Sequence, residues 1–395
     1  MLKIMCYNDG IIHLRGYNDN MFEDKLKLFS FFSGAGFLDL GFEDSGYDVL
    51  YVNEFYKPFL HAYKYSREQM GRKGPEYDYF NGDISALLEN KEKRKLRGLI
   101  KEQHDKANFV GFVGGPPCPD FSVGGKNMGR NGDKGRLTAT YIQLICQLKP
   151  DFFLFENVKG LWKTRKHREF YEEVKKELHS NGFMTTERLI NSLEYGVPQD
   201  RERIILLGFR KNFLQDIGKT VKRNKYSITD LEWDSFIKYS REDISNIPWP
   251  ETNPFEAEST LQRGEGIPEN LTVEYWFSKN NVTNHANAED FFKPKSGMRR
   301  FQTVDEGDDS RKSFKRLHRW RYSPTAAYGN NEVHLHPYRL RRLSASEALA
   351  VQSLPTEFVL PEDMTLTDKF KTIGNGVPYL AAKSLAQTIT NYIEK

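Results

Sequence analysis

Between Lys25 and about Phe209, apolar runs of strand length alternate with amphipathic stretches of helix length. This alternation is typical of βαβ units built around a mostly parallel sheet, so it predicts an α/β fold of the Rossmann-like kind. Two helices are predicted, Leu137–Leu148 and His167–Ser180, because their apolar residues recur at helical spacing. The predicted strands are Leu26–Phe32, Asp48–Asn53, Asn108–Val113, Asp151–Phe155 and Arg203–Leu207.

After Lys211 the pattern changes to short mixed segments with many prolines, which predicts a second, smaller and irregular domain. Helix signals return at Ser344, where a capping pattern precedes an apolar run, and again after Pro378. We therefore expect the chain to re-enter the first domain near its end. The predicted division is an extension at 1–24, a first domain at 25–211, a second at 212–337 and a returning segment at 338–395.

Composition narrows the class of protein. The 395 residues are 38% apolar, which is enough for a sizeable core, and no stretch is long and apolar enough to cross a bilayer. The cysteines Cys6, Cys118 and Cys146 are too few for a disulfide framework. We expect a soluble, unsecreted protein of a reducing compartment. The net charge of +4 neither requires nor excludes a polyanionic partner, although cations outnumber anions between Phe291 and Tyr322.

The first predicted strand leads into FFSGAGFLDLGFE at 31–43, a glycine-rich turn followed by a helix. Gly34 and Gly36 permit a tight turn and close approach to a ligand, while Glu54 ends the next strand, where an acid can bind ribose hydroxyls. Either feature alone is weak, but together they favour an adenosine-containing cofactor. The spacing departs from GxGxxG, which favours S-adenosylmethionine over a dinucleotide.

Cys118 follows a buried strand in GFVGGPPCPDFS, residues 111–122. Two glycines leave room for a planar substrate, and two prolines fix the backbone that presents the sulfur. The alternative is a small buried hydrophobic residue, which is how most free cysteines behave. The next loop is polar, glycine-rich and basic, which favours a lid over a charged substrate instead.

Two further segments supply candidate catalytic groups. DFFLFENVKG places Glu156 at the end of the next strand, where burial suits proton donation to a ring nitrogen, unless the residue only caps the following turn. VPQDRERIILLGF places Gln199, Arg201 and Arg203 on one face of an extended segment. Arginines at this spacing can bind a phosphate or support the Glu156 carboxylate.

In order and sequence, these blocks resemble the conserved blocks of DNA (cytosine-5) methyltransferases of the bacterial restriction-modification type. The resemblance also includes GDI (82–84), RRLSASEALAVQSLP (341–355) and IGNGVPYLAAKSLA (373–385), and it covers about 26–211 and 338–392. It implies a Rossmann-like catalytic domain that binds S-adenosylmethionine at 25–211, and a target-recognition domain at 212–337. The blocks depart from the family at Pro119, where many relatives have glutamine, and at Phe37, where many have glycine.

The resemblance implies a role for each matching residue. Cys118 would attack C6 of a cytosine flipped out of the duplex, Glu156 would act at N3, and Arg201 and Arg203 would support it, so that C5 accepts the methyl group. The cofactor residues would be Phe32, Gly34, Gly36, Glu54, Asp83, Ile84, Asn375 and Val377. The candidate DNA contacts are Ser122, Lys126, Arg130, Arg136, Gln199, Arg299, Arg300, Arg316, Arg319 and Arg321.

The expected partner is double-stranded DNA, and the resemblance also implies a paired restriction endonuclease. We expect a monomeric, cytoplasmic bacterial enzyme that uses no metal, since His334 and His336 have no further ligands nearby in sequence. The alternatives are a tRNA cytosine-5 methyltransferase, which would usually carry a Cys-Phe-Thr block, and an amino-group methyltransferase, which would need an aromatic residue at Cys118. A catalytically silent DNA-binding protein should have lost the thiol or the acid.

Overall fold

A seven-stranded sheet forms the centre of the molecule, with the order β3-β2-β1-β4-β5-β8-β6. The computed structural model describes residues 25–117, 133–221, 225–294, 298–325, 328 and 333–395, with only the backbone at 133, 134 and 166. The strands of this sheet are β1 (Leu26–Phe31), β2 (Asp48–Glu54), β3 (Asp78–Asn81), β4 (Phe109–Gly114), β5 (Phe152–Val158), β6 (Phe183–Asn191) and β8 (Glu202–Arg210).

Strands β1 to β5 are parallel to one another, whereas β8 is antiparallel to both β5 and β6. From β1 the order runs outward to β3 on one side and through β4 to β5 on the other, so the order reverses between β1 and β4. Ligands of open α/β sheets bind outside the carboxyl ends of the strands at such a reversal. The carboxyl edge of β1 to β5 is therefore where a site is expected.

Helices cover both faces of the sheet, and shorter elements follow β8. The helices are α1 (Phe37–Glu43), α2 (Lys57–Gln69), α3 (Asn90–Asp105), α4 (Asp133–Leu148), α5 (Lys159–Lys163), α6 (Arg165–Ser180), α7 (Lys211–Asp216), α8 (Arg241–Asn246), α9 (Val273–Lys279), α10 (Met298–Thr303), α11 (Ala345–Val351), α12 (Leu366–Asn375) and α13 (Tyr379–Glu394). Short 3₁₀ turns lie at Ile84–Leu88, Ser192–Tyr195 and Glu269–Leu271. Short strands form the pairs β7 (Gln199–Asp200) with β10 (Ser323–Pro324), and β9 (Lys315–Arg316) with β11 (His334–Leu335).

The structure confirms the predicted α/β fold. The five predicted strands correspond to β1, β2, β4, β5 and β8. The helices predicted at 137–148 and 167–180 correspond to α4 and α6, and the helix signals at Ser344 and after Pro378 correspond to α11 and α13. Strands β3 and β6 were not predicted. Within the described residues, no helix is long and apolar enough to span a membrane.

The last helix, α13, packs against α1 beside the central sheet. The two backbones approach so closely that a Cβ at Gly41 would lie 2.5 Å from the amide nitrogen of Lys383. Tyr47, just after α1, donates its hydroxyl hydrogen to the carbonyl of Ala386 at 3.2 Å. The C-terminal helix therefore packs against the part of the chain that forms the central sheet, and the domain boundaries stay a prediction.

The irregular region between β8 and α11 is joined to the rest of the molecule by packing and by backbone pairing. Trp276 and Phe277 of α9 pack with Leu343 and Val351 near α11 in one apolar cluster. Strand β10 pairs with β7, which places this region directly beside the segment that leads into β8.

Candidate active site at the carboxyl edge of the sheet

The turn after β1 has left-handed backbone at two glycines, with φ of 58° at Gly34 and 80° at Gly36. A Cβ at Gly36 would lie 2.5 Å from the Tyr63 ring, so no side chain fits there. Oε2 of Glu54 accepts a hydrogen bond from the Gly34 amide at 2.9 Å, and Oε1 accepts one from the Tyr56 amide at 2.7 Å. Burial raises the pKa of the Glu54 carboxyl, which is only 8% exposed. The predicted glycine turn and the predicted acid are thus in direct contact.

Three other predicted cofactor residues lie at the ends of β1 and β3. Phe32 has a φ of 54°, a left-handed conformation that is rare for an aromatic residue and typical of functional sites. Oδ1 of Asp83 accepts hydrogen bonds from the hydroxyl and amide of Ser85 at 2.7 and 2.8 Å, and these bonds lower the pKa of Asp83. Ile84 is buried and belongs to an apolar core cluster.

Phe55 was not singled out in the sequence, yet its ring is 69% exposed at the end of β2. Asn81 fixes this strand end by donating to the carbonyls of Glu54 and Phe55 at 2.8 and 3.0 Å. An exposed large apolar side chain beside a buried acid indicates a surface for a planar ligand. The signal in the sequence is an aromatic residue directly after the acid at a strand end.

The last turns of α12 and the residues after it reach the glycine turn from the other side. A Cβ at Gly34 would lie 4.0 Å from Oγ1 of Thr372, and this buried hydroxyl has no hydrogen-bond partner within the described part of the chain. Asn375 is exposed, whereas Val377 packs into the core. The unpartnered hydroxyl, the acidic oxygens of Glu54 and the space beside Gly34 fit a ligand rich in hydroxyl and amino groups.

Phe37, a departure from the family pattern, fills space between the glycine turn and the C-terminal segment. Its ring is buried and meets Phe358 edge to face, with centroids 5.1 Å apart. A Cβ at Gly376 would lie 2.1 Å from this ring. Phe37 is therefore a core residue that requires glycine at position 376.

The end of β4 leads towards the predicted nucleophile. Asn157 of β5 donates a hydrogen bond to the carbonyl of Pro116 at 3.4 Å, which ties the two strand ends together. Its Oδ1 accepts from the amide of Val158 at 2.8 Å, which orients the Asn157 side chain. Cys118 and the candidate DNA contacts Ser122, Lys126 and Arg130 lie outside the described residues.

Glu156 lies on β5 beside this segment and forms an ion pair with Arg203 of β8. Nε of Arg203 is 2.9 Å from Oε1 of Glu156, and both side chains are largely buried. The pairing register explains the contact: Glu156 is opposite Ile205, so Arg203, two positions along, projects from the same face of the sheet. A Cβ at Gly115 would lie 2.8 Å from Oε2 of Glu156, so the carboxylate lies against the end of β4.

Arg201 is fully buried between the sheet and the C-terminal segment. Its Nη2 donates to the carbonyl of Gly374 at 3.1 Å, at the end of α12. Burial, and next the positive charge of Arg203, lower the pKa of Arg201 well below its usual value. Arg201 therefore fixes the segment that precedes Asn375.

Two buried glutamines support the same segment. Nε2 of Gln352 donates to the carbonyl of Ile373 at 2.6 Å, and Oε1 of Gln352 accepts from Nε2 of Gln199 at 3.4 Å. Gln199, a predicted DNA contact, is thus a buried residue in this structure. Gln352 was not predicted from the sequence, because a glutamine at the end of an apolar helix gives no local signal of its hydrogen-bond partners.

The candidate DNA contacts of the irregular region divide by burial. Arg299 and Arg300 of α10 are exposed, and so is Arg136 of α4 in the first domain. The Arg300 guanidinium lies 5.0 Å from the centroid of the Phe314 ring, which holds it at the surface. These exposed arginines stay candidate DNA contacts.

The structure does not place Arg316 or Arg319 at the surface, which corrects their selection as DNA contacts. Arg316 is completely buried and donates to the carbonyls of Val304 and His336 at 2.8 and 2.6 Å. Arg319 is 4% exposed, and its Nη2 lies 2.8 Å from Oε2 of Glu306. Both guanidiniums hold the fold of the irregular region together.

Arg321 is half-buried and its charge is already paired. Its Nη2 donates to Oδ2 of Asp309 at 2.9 Å and to the carbonyl of Gly307 at 3.0 Å. His334 and His336 are also buried, and Nε2 of His336 lies 3.4 Å from Oε1 of Glu347. Within the residues that the structure describes, no group of three histidine, cysteine or acidic residues could hold a metal ion.

Comparisons with known proteins agree with this geometry. The family model described as C-5 cytosine-specific DNA methylase matches residues 26–391. The Type II methyltransferase M.NmeDI of Neisseria meningitidis serogroup C is 53% identical over 370 residues, which cover 94% of this chain and 84% of that protein. M.FnuDI of Fusobacterium nucleatum, also a Type II methyltransferase, is 29% identical over 375 residues, 93% and 96% of the two chains.

Solved structures share the fold at low sequence identity. A prophage-encoded protein of E. coli, assigned as a DNA modification methyltransferase, superposes with a TM-score of 0.60 at 21% identity and covers 94% of this chain and all of that one. The Dnmt2 methyltransferase of S. pombe gives a TM-score of 0.56 at 12% identity, with 93% and 99% of the chains covered.

Proposed function

The chain belongs to the C-5 cytosine-specific DNA methylases, and from this premise we propose its chemistry, cofactor and target. It transfers a methyl group from S-adenosylmethionine to C5 of a cytosine that is flipped out of a specific double-stranded DNA sequence. The reaction proceeds through a covalent bond between Cys118 and C6 of the base. By modifying this sequence, the enzyme protects the host DNA from a restriction endonuclease that cuts the same site.

The observation that carries the proposal is the position of Glu156. Its carboxylate pairs with Arg203, lies against Gly115, and is followed by Asn157, which holds the carbonyl of Pro116. Pro116 lies two positions before Cys118. An acid, a supporting cation and the segment that carries the thiol therefore meet at one edge of the sheet, which is what addition to a pyrimidine requires.

The glycine turn and the residues around it would hold S-adenosylmethionine. The oxygens of Glu54 would accept hydrogen bonds from ribose hydroxyls, while Asp83 would bind the adenine amino group beside the Phe32 and Phe55 rings. The Thr372 hydroxyl, unpartnered within the described residues, is available to the same ligand. When bound, S-adenosylmethionine supplies a methyl group on a positively charged sulfur, which a carbon nucleophile can accept.

Cytosine C5 is too weak a nucleophile without help, so the thiolate of Cys118 first adds to C6. The new S–C6 bond moves the electrons of the C5–C6 double bond to C5, while Glu156 binds the N3 edge and limits the charge that builds up there. Arg203 keeps Glu156 in place. After C5 has accepted the methyl group, a base removes its proton, the S–C6 bond breaks and the double bond returns.

The base must leave the helix before any of this occurs, since neither face of C6 is accessible in stacked DNA. The exposed Arg136, Arg299 and Arg300 are candidates for contacts that hold the duplex during this step. Sequence selection would come from the irregular region between β8 and α11.

The proposal is tested with purified protein, labelled S-adenosylmethionine, duplex DNA and tRNA. We expect label in DNA and none in tRNA, and we expect DNA containing 5-fluorocytosine to form a stable adduct at Cys118. Fluorine at C5 cannot leave as a cation, so the covalent bond persists. Transfer to tRNA alone, or turnover without any trapped adduct, would contradict the proposal. Cys118→Ser should abolish transfer and keep DNA binding.

The target site and the protective role need a separate measurement. Bisulfite sequencing of DNA from cells that express the protein should show one short sequence modified at a fixed cytosine. Such DNA should resist cleavage by an endonuclease of that specificity. Methylation spread over unrelated sequences would rule out the protective role.

A further inference from the structure

Directly after β5, the chain carries a run of cations without any acid. Residues 157–168 read NVKGLWKTRKHR and contain five lysines and arginines, one histidine and no aspartate or glutamate. The next nine residues, EFYEEVKKE, contain four glutamates and two lysines. The charge therefore changes sharply within α6, and the basic part is the one next to the catalytic strand.

This basic edge, residues 159–168, is formed by α5 and the first turn of α6. Lys163 and Arg165 are exposed, and neither forms an ion pair with any residue that the structure describes. Arg168 is also exposed, and its guanidinium lies 4.9 Å from the centroid of the Trp162 ring. Unlike Lys159, which pairs with Glu202, Lys163 and Arg165 have their charge turned to solvent, whereas Nε of Arg168 lies 3.9 Å from Oε1 of Glu172.

The position of the basic edge matters as much as its charge. Glu156 and Lys163 are seven positions apart, and α5 begins where β5 ends, at the carboxyl edge of the sheet. Further along α6, Lys175 lies 3.0 Å from Glu172 and 3.2 Å from Glu187, and the exposed Lys176 lies among four glutamates in the sequence. Lys163 and Arg165 thus present unpaired positive charge at the end of α6 nearest to Glu156, where the sequence carries no acid.

We propose that the basic edge binds phosphates of duplex DNA next to the flipped cytosine, in addition to contacts made by the irregular region. The inference rests on the proposed function, because it takes DNA as the substrate that reaches Glu156. Lysine and arginine bind phosphates independently of base sequence and release counterions in doing so. The basic edge therefore contributes affinity and position, while sequence selection remains with the irregular region.

The test compares two double variants that remove the same charge. Lys163→Gln/Arg165→Gln changes the basic edge. The matched control, Lys73→Gln/Lys176→Gln, changes two exposed lysines, one in the loop after α2 and one about 16 Å along α6 from Arg165. All four residues are exposed, so both variants should fold, which thermal unfolding verifies.

DNA binding is measured by fluorescence anisotropy with one unmodified duplex over a range of salt concentrations. For the basic-edge variant we expect about tenfold weaker binding at low salt, and a slope of log affinity against log salt smaller by about 1.8, since each lost phosphate contact removes about 0.9. The KM for DNA in the methyl-transfer assay should rise in parallel. The control should keep the slope of the parent protein.

A slope equal to that of the control would overturn the role of the basic edge, even if the parent protein methylates DNA normally. Reduced turnover with unchanged DNA affinity would also overturn it, because the cations would then act on the chemistry. Absence of methyl transfer to DNA by the parent protein would instead refute the proposed function. The two failures are thus distinguishable.

Discussion

Nε of Arg203 lies 2.9 Å from Oε1 of Glu156, across neighbouring antiparallel strands and largely out of contact with solvent. A buried ion pair of this kind is costly to break by removing one partner, because the other charge stays buried without compensation. The pair also fixes the carboxylate beside the segment that carries Cys118. Arg203 is therefore a positioning residue for Glu156.

Replacing Arg203 by glutamine should lower kcat about 100-fold, since the carboxylate loses its fixed orientation. Lysine at the same position keeps the charge but loses the planar guanidinium, so we expect an intermediate kcat. The control is Arg188→Gln on β6, where an arginine pairs with Asp234 and Glu194 and not with Glu156. A kcat of Arg203→Gln equal to that of the parent would remove the assigned role.

Gly115→Ala tests the same carboxylate from the other side. The added methyl group would lie 2.8 Å from Oε2 of Glu156, closer than a carbon and an oxygen can approach, so the carboxylate must move. We expect kcat to fall about 100-fold, as for a displacement of about 1 Å at a catalytic group. Gly98→Ala on α3, where a Cβ meets open space, serves as the control. Parental turnover by Gly115→Ala would show that Glu156 tolerates displacement.

Gln352→Met should weaken binding of S-adenosylmethionine about tenfold. The substitution keeps the volume but leaves the buried carbonyl of Ile373 without its donor, which costs about 1–3 kcal/mol and loosens the segment that precedes Asn375. Isothermal titration with S-adenosylhomocysteine measures the effect. Gln147→Met on α4, where the glutamine is exposed, is the control. Unchanged affinity would mean that Arg201 alone holds the segment.

The stability of the protein should depend on His334. Burial lowers the pKa of this histidine to about 3, so the folded protein keeps it neutral while the unfolded chain binds a proton below about pH 6.5. The unfolded state therefore gains protons first as the pH falls. The free energy of unfolding should drop by about 1.4 kcal/mol per pH unit for this one group between about pH 6 and pH 3.

Urea unfolding at pH 7, 6 and 5 measures this dependence. The variant His334→Leu should lose less stability per pH unit than the parent, even if its stability at pH 7 is lower. Equal slopes for the parent and His334→Leu would show that other groups account for the acid sensitivity.

The parallel half of the sheet could be predicted because its strands are long, apolar and separated by helical periodicity. Strand β3 is short and half-exposed, and β6 carries polar residues over much of its length, so neither gives a continuous apolar run. The reversed direction of β8 depends on pairing between distant segments. That information is absent from local periodicity.

In the site, too, the positions that follow from local sequence could be predicted, and those that depend on contacts between distant segments could not. The glycine turn, Glu54 and Glu156 follow strand ends, so their shared edge could be inferred from the chain order. The burial of Arg316 could not be inferred, because a charged residue in a basic stretch of sequence predicts a surface position. Its burial depends on carbonyl groups supplied by Phe301, Val304 and His336, which the fold brings together from two segments, the end of α10 and the residue after β11.

The contact between α1 and α13 also has a consequence for synthesis. On the ribosome, α1 emerges early, yet the partner that covers Gly41 is made more than 300 residues later. The proposed methyl-donor pocket starts at the turn that leads into α1, so a nascent chain cannot complete this pocket until α13 has emerged. Modification activity should therefore begin only after translation of α13, and a ribosome stalled within the irregular region should carry an inactive chain.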